Sequence, residues 1–308
     1  MRLTVILPVY NGEATLEVQL EALKRQDWPN ASEVLVVDNG STDRSREIVE
    51  RYRSDLPNLR IVAAHDPSEP RKGVDHSYRV GFAQAAGDLI LLFEADDEIG
   101  KGWLAAMVRA LDEHPFVAAA IDPVPLNAKA LADDWTAQRT GLISGTRPLR
   151  TVPWAFGCAM GFRRSVYETI GGPAPDVGTS WDIDYCWRAH LAGIPLHFVP
   201  EARVHYRLRE GRGPRFRQGA AWGRSEVLLF QKYDGRRTGR YLARDLWMFA
   251  RRIVQARKIL TGGLTLEVWA FYAGLHVGRM SGLRDLTLSK ARAHQHHRRE
   301  PISQTGER

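Results

Sequence analysis

Cysteine is nearly absent. Cys158 and Cys186 are the only two in 308 residues, which excludes a disulfide framework, and their spacing fits no CxxC metal knot. A reducing compartment is the plain expectation. Long apolar runs are missing as well: the best candidate, Leu264 to Leu275, is twelve residues long and contains Glu267, short of the roughly 20 that a bilayer-crossing helix needs. The opening run, Met1 to Tyr10, breaks at Pro8 and Asn11 without a small-residue cleavage site, so it reads as a strand and not as a signal peptide. Neither GxGxxG nor GxxxxGK(S/T) follows that run, which disfavours both the usual dinucleotide fingerprint and a P-loop.

What is present is a chain 44% hydrophobic and 26% charged, long enough for two domains at about 150 residues each and able to bury a sizeable core. The net charge of +7 conceals an asymmetry. Residues 1–200 carry 20 Lys and Arg against 27 Asp and Glu, whereas residues 201–308 carry 23 against 9. So basic a final third suggests an anionic partner such as a phosphate-bearing substrate or an acidic lipid surface; the bland alternative is a solvated helical face. No nucleic acid is expected, since no motif beyond charge points to one.

Through residue 121, short β-branched runs alternate with helical patterns, the signature of a parallel sheet flanked by helices. Strands are expected at Leu3–Val9, Glu33–Asp38, Asn58–Ala64, Leu89–Phe93 and Phe116–Ile121, and helices at Ala14–Arg25, Asp43–Arg53, Val74–Ala86 and Trp103–Glu113. Farther on, the pattern predicts a strand near Gly157–Phe162, helices at Arg164–Ile170 and Asp182–Ala192, and short strands at Leu196–Val199 and Arg203–Tyr206. Helices follow at Gly219–Tyr233, Tyr241–Leu260 and Leu264–Met280. Asp122 to Arg150 has no clear assignment, and the polar tail from Ala291 reads as disordered.

In an open parallel sheet, ligands collect beyond the carboxyl ends of the strands. There stand Pro8 to Glu13, Asp38 to Asp43, His65 with Asp66, and Glu94 to Asp97. Carboxylates alone repel phosphate, so an acidic pocket that holds one needs a divalent cation, and the oxygens of Glu94 and Asp96 suit Mg2+ or Mn2+. The competing reading makes Asp96 or Asp97 a simple cap of the helix that begins near Gly100.

Five segments in order, VILPVYNGEATLEVQLEAL, VLVVDNGSTDRS, GDLILLFEADD, GCAMGFRRSVYETIGG and WDIDYCWRAHLAGIPLHFVPEARVHYR, together resemble the family 2 glycosyltransferases. These are enzymes of the GT-A fold that use nucleotide-sugar donors. The resemblance covers roughly residues 3–209 and implies an α/β fold, a Rossmann-like mixed sheet of GT-A type flanked by helices, with a C-terminal helical extension that it does not cover. It implies that Pro8, Val9 and Tyr10 lie against the nucleotide base with Asn11 and Glu13 nearby, and that Asp38 hydrogen-bonds the base or ribose. Asp96 matches the last carboxylate of the family's DxD motif, the metal ligand. Glu94 replaces Asp at its first position. Asp182 matches the catalytic base of the ED motif, with Asp184 as the alternative; His205 falls where a histidine can reach metal or diphosphate, and Arg207 and Arg209 can meet donor phosphates. Set against these roles are ordinary ones: Tyr10 as an edge-of-core aromatic, Glu13 as a first-turn residue, Asp38 as a turn residue, Asp182 as a helix N-cap, Asp184 and Arg188 as an i,i+4 pair, His205 as a structural histidine.

Two departures from the family pattern stand out. Trp181 occupies the Glu position of ED, and where relatives read GxSxARNxG this chain reads Gly73 to Gly81 with Tyr78 and Arg79 in the Arg and Asn positions. Sugar identity is therefore not inherited. The expected organisation is a catalytic domain over residues 1–210, a basic helical region over 211–290 and a disordered tail over 291–308. The resemblance implies an inverting, metal-dependent transfer from a nucleoside-diphosphate sugar to a hydroxyl acceptor, with a lipid-linked or cell-envelope glycan as one candidate acceptor. The alternatives are a non-catalytic nucleotide-binding protein and, less favoured, a sugar nucleotidyltransferase. Leu246, Phe249, Ile253 and Val254 recur at helical spacing beside Arg244, Arg251 and Arg252, a pattern suited to an anionic membrane surface or to packing on the protein itself. A cytoplasmic location, peripheral on the inner membrane face, is the matching expectation.

Overall fold

The computed structural model describes residues 2–128, 132, 141–146, 148–235, 238–255 and 265–297. The chain divides into two compact units, Met1–Glu210 and Gly211–Arg308.

In the first unit, β1 (Leu3–Val9), β2 (Ser32–Asp38), β3 (Arg60–Ala63) and β4 (Leu89–Leu92) lie parallel, with α1 (Leu16–Lys24), α2 (Ser45–Arg51) and α3 (Val74–Gln84) between them. β1 and β4 are apolar at nearly every position and buried throughout, as strands covered on both faces must be. The two residues of β5 (Glu98–Ile99) lead to α4 (Trp103–Glu113) and β6 (Phe116–Asp122). After β7 (Met160–Arg163) come α5 (Arg164–Ile170), α6 (Trp181–Leu191) and β8 (His197–His205). Among the described residues the sheet has eight strands in the order β3-β2-β1-β4-β7-β6-β8-β5. β7 enters antiparallel between β4 and β6, and β5 is antiparallel to β8, so the sheet is mixed.

Pro8 decides where the sheet opens. The Ile6 carbonyl accepts from the Phe93 N–H, so Pro8, two residues on, turns its missing donor toward β4. Pairing of β1 with β4 has by then ended at Ile6 and Leu92. Beyond that point β1 continues beside β2 alone, through Val9 opposite Asp38.

Three differences from the sequence pattern stand out. The strands expected at Leu196–Val199 and Arg203–Tyr206 are one strand, because the β6–β8 register slips between Ala119 and Ala120 and pushes Pro200 to Ala202 out of the ladder; such bulges interrupt side-chain alternation. β5 is too short to leave any periodicity. The start of the segment expected as a strand at Gly157 is a 3-10 turn over Gly157–Ala159.

The second unit contains α7 (Arg212–Asp234), α8 (Thr238–Gln255) and α9 (Leu266–His297). α9 therefore continues through 291–297, where the sequence suggested disorder; 298–308, like 256–260 of the expected helix Tyr241–Leu260, lie outside the described residues. α7 and α9 meet through glycine. Gly219 and Gly223 face the backbone of Phe271 and Leu275, and Gly274 and Gly278 face that of Phe216 and Ala220. A Cβ at any of the four would stand 2.0–2.1 Å from a carbonyl oxygen on the other helix, far closer than the two atoms can approach. α8 is pinned to α9 by buried Asp245, whose carboxylate meets His276 Nδ1 at 2.9 Å and the Arg279 guanidinium. Gly223→Val should lower the stability of this unit by at least the 1–3 kcal/mol or so of an overpacked core, read as a loss of helical signal in a thermal melt; an unchanged melt would show that the helices separate freely.

Candidate active site

Beyond the carboxyl ends of the parallel strands, three loops carry the candidate residues. The first two are tied to each other. Asn11, with φ +50°, accepts the Thr42 N–H at 2.8 Å through Oδ1, and the Gly12 N–H donates to Ser45 Oγ at 2.8 Å. Glu13 Oε2 accepts the Arg44 N–H at 3.1 Å, and the Glu13 N–H donates to Asp43 Oδ2 at 3.0 Å. The side chains of Asn11 and Glu13 are thus occupied in joining the β1 loop to the β2 loop. Pro8 and Val9 are buried within β1 itself. Tyr10 is 44% exposed, and the Arg71 guanidinium lies 3.6 Å over its ring. Asp38 is buried at the end of β2, with Oδ1 accepting the Ser41 N–H at 2.9 Å and Oδ2 at 3.8 Å from Arg46.

The third loop joins β4 to β5 and brings Glu94, Asp96 and Asp97 together, with one carboxylate oxygen from each within 4.8 Å of the others. Two buried glutamines of the α1 region hold the loop. Gln19 donates to the Glu94 carbonyl at 3.2 Å and accepts the Ile99 N–H at 3.0 Å; Gln26 donates to the Gly100 carbonyl and accepts the Leu104 N–H, both at 3.1 Å. Neither glutamine belongs to a recognisable motif, yet both fall on the helical stripe of Leu16, Leu20 and Leu23, where a polar side chain must find partners. Asp97 does not cap a helix. α4 begins at Trp103 after Gly102, whose φ is +71°, and Asp97 is instead buried with Oδ1 accepting the Arg207 N–H at 2.8 Å. Arg207 Nε also donates to the Asp96 carbonyl at 2.9 Å.

Asp182 stands in the first turn of α6. Its Oδ1 accepts the Ile183 N–H at 2.8 Å and its Oδ2 the Gly157 N–H at 3.4 Å, so a helix N-terminus and the Gly157 turn both aim donors at it. Burial nonetheless pushes its carboxyl up to about 7. Glu94 is pushed up to about 8, first by burial and then by the charges of Asp96 and Asp182, with Arg209 opposing. That repulsion places Asp182 and the acidic loop in one electrostatic neighbourhood. Asp96 is raised by burial, against its own backbone N–H, Arg209 and Arg207. Asp97 is raised well above the usual carboxylate range by burial, Asp96 and Glu94.

Asp184, the alternative base, is fully buried and bonded to Arg188 Nε at 2.8 Å, a structural ion pair. His205 does not join the acidic trio: it pairs with Glu98 across β8 and β5, with Nδ1 3.5 Å from Glu98 Oε2. Arg79 is bonded along its own helix to Asp75 at 3.0 Å.

The trio offers only oxygen donors, which suits a hard divalent cation. Asp97 Oδ2 is buried without a hydrogen-bond partner, while the buried Cys158 thiol bonds the same carboxyl group.

Because the folded chain holds protons on Glu94 and Asp182 up to pH about 7–8, it binds more protons than the unfolded chain between the ordinary carboxylate range and that pH. Stability must then fall as pH rises through the interval. Carboxylates with lowered values, such as Glu33 and Asp43, act in the opposite direction only at more acid pH. The melting temperature should drop by roughly 5 °C between pH 5 and 8, and Asp96→Asn should flatten the decline. A rise over that range would contradict the crowding of these groups.

The chain is similar to known proteins in sequence and in fold. The sequence model of Glycosyl transferase family 2 matches residues 4–171. The Staphylococcus aureus poly(ribitol-phosphate) beta-N-acetylglucosaminyltransferase TarS is 37% identical over 119 residues, covering 37% of this chain and 19% of that protein. The poly-beta-1,6-N-acetyl-D-glucosamine synthase of the same species is 24% identical over 247 residues, covering 78% of this chain and 58% of that one. The chain thus spans about a fifth of the first relative's length and somewhat more than half of the second's. Among solved structures, the mannosyltransferase PcManGT of Pyrobaculum calidifontis in complex with GDP-Man and Mn2+ superposes with TM-score 0.62 at 19% identity, covering 92% of this chain and 87% of that chain. TarS 1–349 in complex with UDP-GlcNAc gives 0.55 at 19% identity, covering 92% of each. These structural likenesses show the GT-A type of fold, and the sequence match shows the rest: the chain belongs to glycosyl transferase family 2.

Proposed function

We propose that this chain transfers a sugar from a nucleoside-diphosphate donor to a hydroxyl acceptor with inversion at the anomeric carbon, and that it requires Mg2+ or Mn2+. The observation that carries this reading is a carboxyl held near neutrality, Asp182 at about 7, within electrostatic reach of an all-oxygen acidic trio. A general base works best when its pKa lies near the working pH.

Asp96, with Glu94 and Asp97, is the proposed metal-binding set; His205, held against Glu98, is left out of it. A divalent cation bound there supplies positive charge to the donor's diphosphate as it leaves. The nucleoside is assigned to the face between Tyr10 and Asp38. Arg209, whose charge already opposes that of Glu94 and Asp96, draws the anionic donor toward the same place. Asp182 takes the proton of the acceptor hydroxyl while that oxygen attacks the anomeric carbon from the side opposite the diphosphate. The Gly157 and Ile183 N–H groups fix the carboxylate for that approach. Relatives solved with UDP-GlcNAc and with GDP-Man and Mn2+ support the donor class, and the poly(ribitol-phosphate) acceptor in the name of TarS supports a cell-envelope glycan.

Release of nucleoside diphosphate from a panel of nucleotide sugars tests the reading. Asp182→Asn should lower kcat by at least 100-fold, the contribution of a positioned base, while donor affinity stays within about twofold. Asp96→Asn should lose metal-dependent donor binding. Full transfer by Asp182→Asn would eliminate that residue as the base.

Among the described residues no helix is long and apolar enough to cross a membrane, yet α8 leaves Leu246, Trp247, Ile253 and Val254 exposed on one helical face beside exposed Arg251. This face is assigned to the surface of an anionic membrane on its cytoplasmic side, where a lipid-linked acceptor would be met. The full chain should sediment with anionic liposomes at low salt, and Trp247→Ser with Ile253→Ser should release it without changing donor turnover. Equal binding by the double variant would refute the assignment.

A further inference from the structure

Two of the positions at which the catalytic segment departs from its family's pattern touch each other. Tyr78 stands in the Arg position of GxSxARNxG and Trp181 in the Glu position of ED, 103 residues apart in sequence. Their ring centroids lie 4.7 Å apart at 44°. Both are buried, Tyr78 fully. The Tyr78 hydroxyl donates to the Phe93 carbonyl at 3.2 Å, on the residue that precedes Glu94. Trp181 precedes Asp182, and its indole occupies the space left by the missing side chain of Gly157, the residue whose N–H holds Asp182 Oδ2.

We propose that Tyr78 and Trp181 are positioning residues that work as one unit, an uncharged aromatic strut setting the separation of the acidic loop from Asp182. The contacts run without a break from Glu94 through Phe93, Tyr78 and Trp181 to Asp182. The strut also accounts for both departures together. A lone Glu at 181 would add a buried negative charge beside Asp182 and the acidic loop, which is strongly unfavourable, so position 181 does not change safely by itself. The inference rests on the proposed roles of Asp182 and of the acidic trio.

Two measurements on the full chain test it. In the first, Mn2+ alone is titrated and followed by electron paramagnetic resonance. Tyr78→Phe, which removes only the hydroxyl bond, and Trp181→Leu should each weaken Mn2+ binding about fivefold, and the double variant should be little worse than either, as expected for residues acting as a unit. Trp181→Phe, which keeps a ring, should stay close to the parent. Wild-type affinity in Tyr78→Phe and Trp181→Leu, or losses that simply add, would overturn the strut. Asp96→Asn serves as the separate control, since undiminished Mn2+ binding there would sink the metal-site reading instead. The second measurement needs neither metal nor donor. Trp181→Glu should depress the melting temperature, and adding Tyr78→Arg to it should recover most of the loss; a further depression in the double variant would refute the proposed interdependence.

Discussion

Like charges confined to one partly buried crevice are the constraint around which this molecule is organised. Glu94, Asp96, Asp97 and Asp182 repel one another, and burial raises each of them. Left to itself such a loop would splay into water, where charges are screened and solvated. The fold prevents this with neutral and backbone groups as well as cations. Gln19 and Gln26 grip the loop through its amides and carbonyls, the Arg207 N–H fixes Asp97, and Gly157 with Ile183 fixes Asp182. Among the described residues Arg207 and Arg209 oppose the negative field with charge.

That division of labour changes how the strand-end residues are understood. Asn11 and Glu13 face the same edge as Asp38, and Asn11 Oδ1 and Glu13 Oε2 also join the β1 and β2 loops. Tyr10 with Arg71 above it, and Asp38 at the end of β2, keep surfaces that a planar base and its ribose could use. Pro8 contributes by ending the β1–β4 ladder, which separates the strands that carry these two sets of residues.

The second unit follows a different packing rule. Glycines spaced four apart let α7 and α9 approach backbone to backbone, so close contact replaces the interdigitation of large side chains. α8 then uses its polar edge, Asp245, to join α9 and leaves its apolar stripe outside. A helix attached by a buried ion pair and exposed along its apolar face reverses the usual arrangement of a globular protein.

Much of this was legible in the chain itself. Unbroken apolar runs such as Leu89 to Leu92 suit interior strands, and α4 and α5 begin and end where the 3.6-residue pattern does, so the alternation of strands with helices and the strand-end positions of Asp38, Glu94 and Asp96 followed from local chemistry. The β6–β8 bulge, the two-residue β5 and the insertion of β7 between β4 and β6 did not, because strand pairing is set by contacts remote in sequence. The same holds within the site. Sequence put Asp182 ahead of Asp184 on one helix and already offered Arg188 to Asp184 at i,i+4 spacing; what tertiary structure added was the acidic loop beside Asp182. It likewise set His205 against Glu98 and Tyr78 against Trp181. Residue type determines what a side chain can do, whereas the neighbours that select among those possibilities arrive only when distant segments fold together.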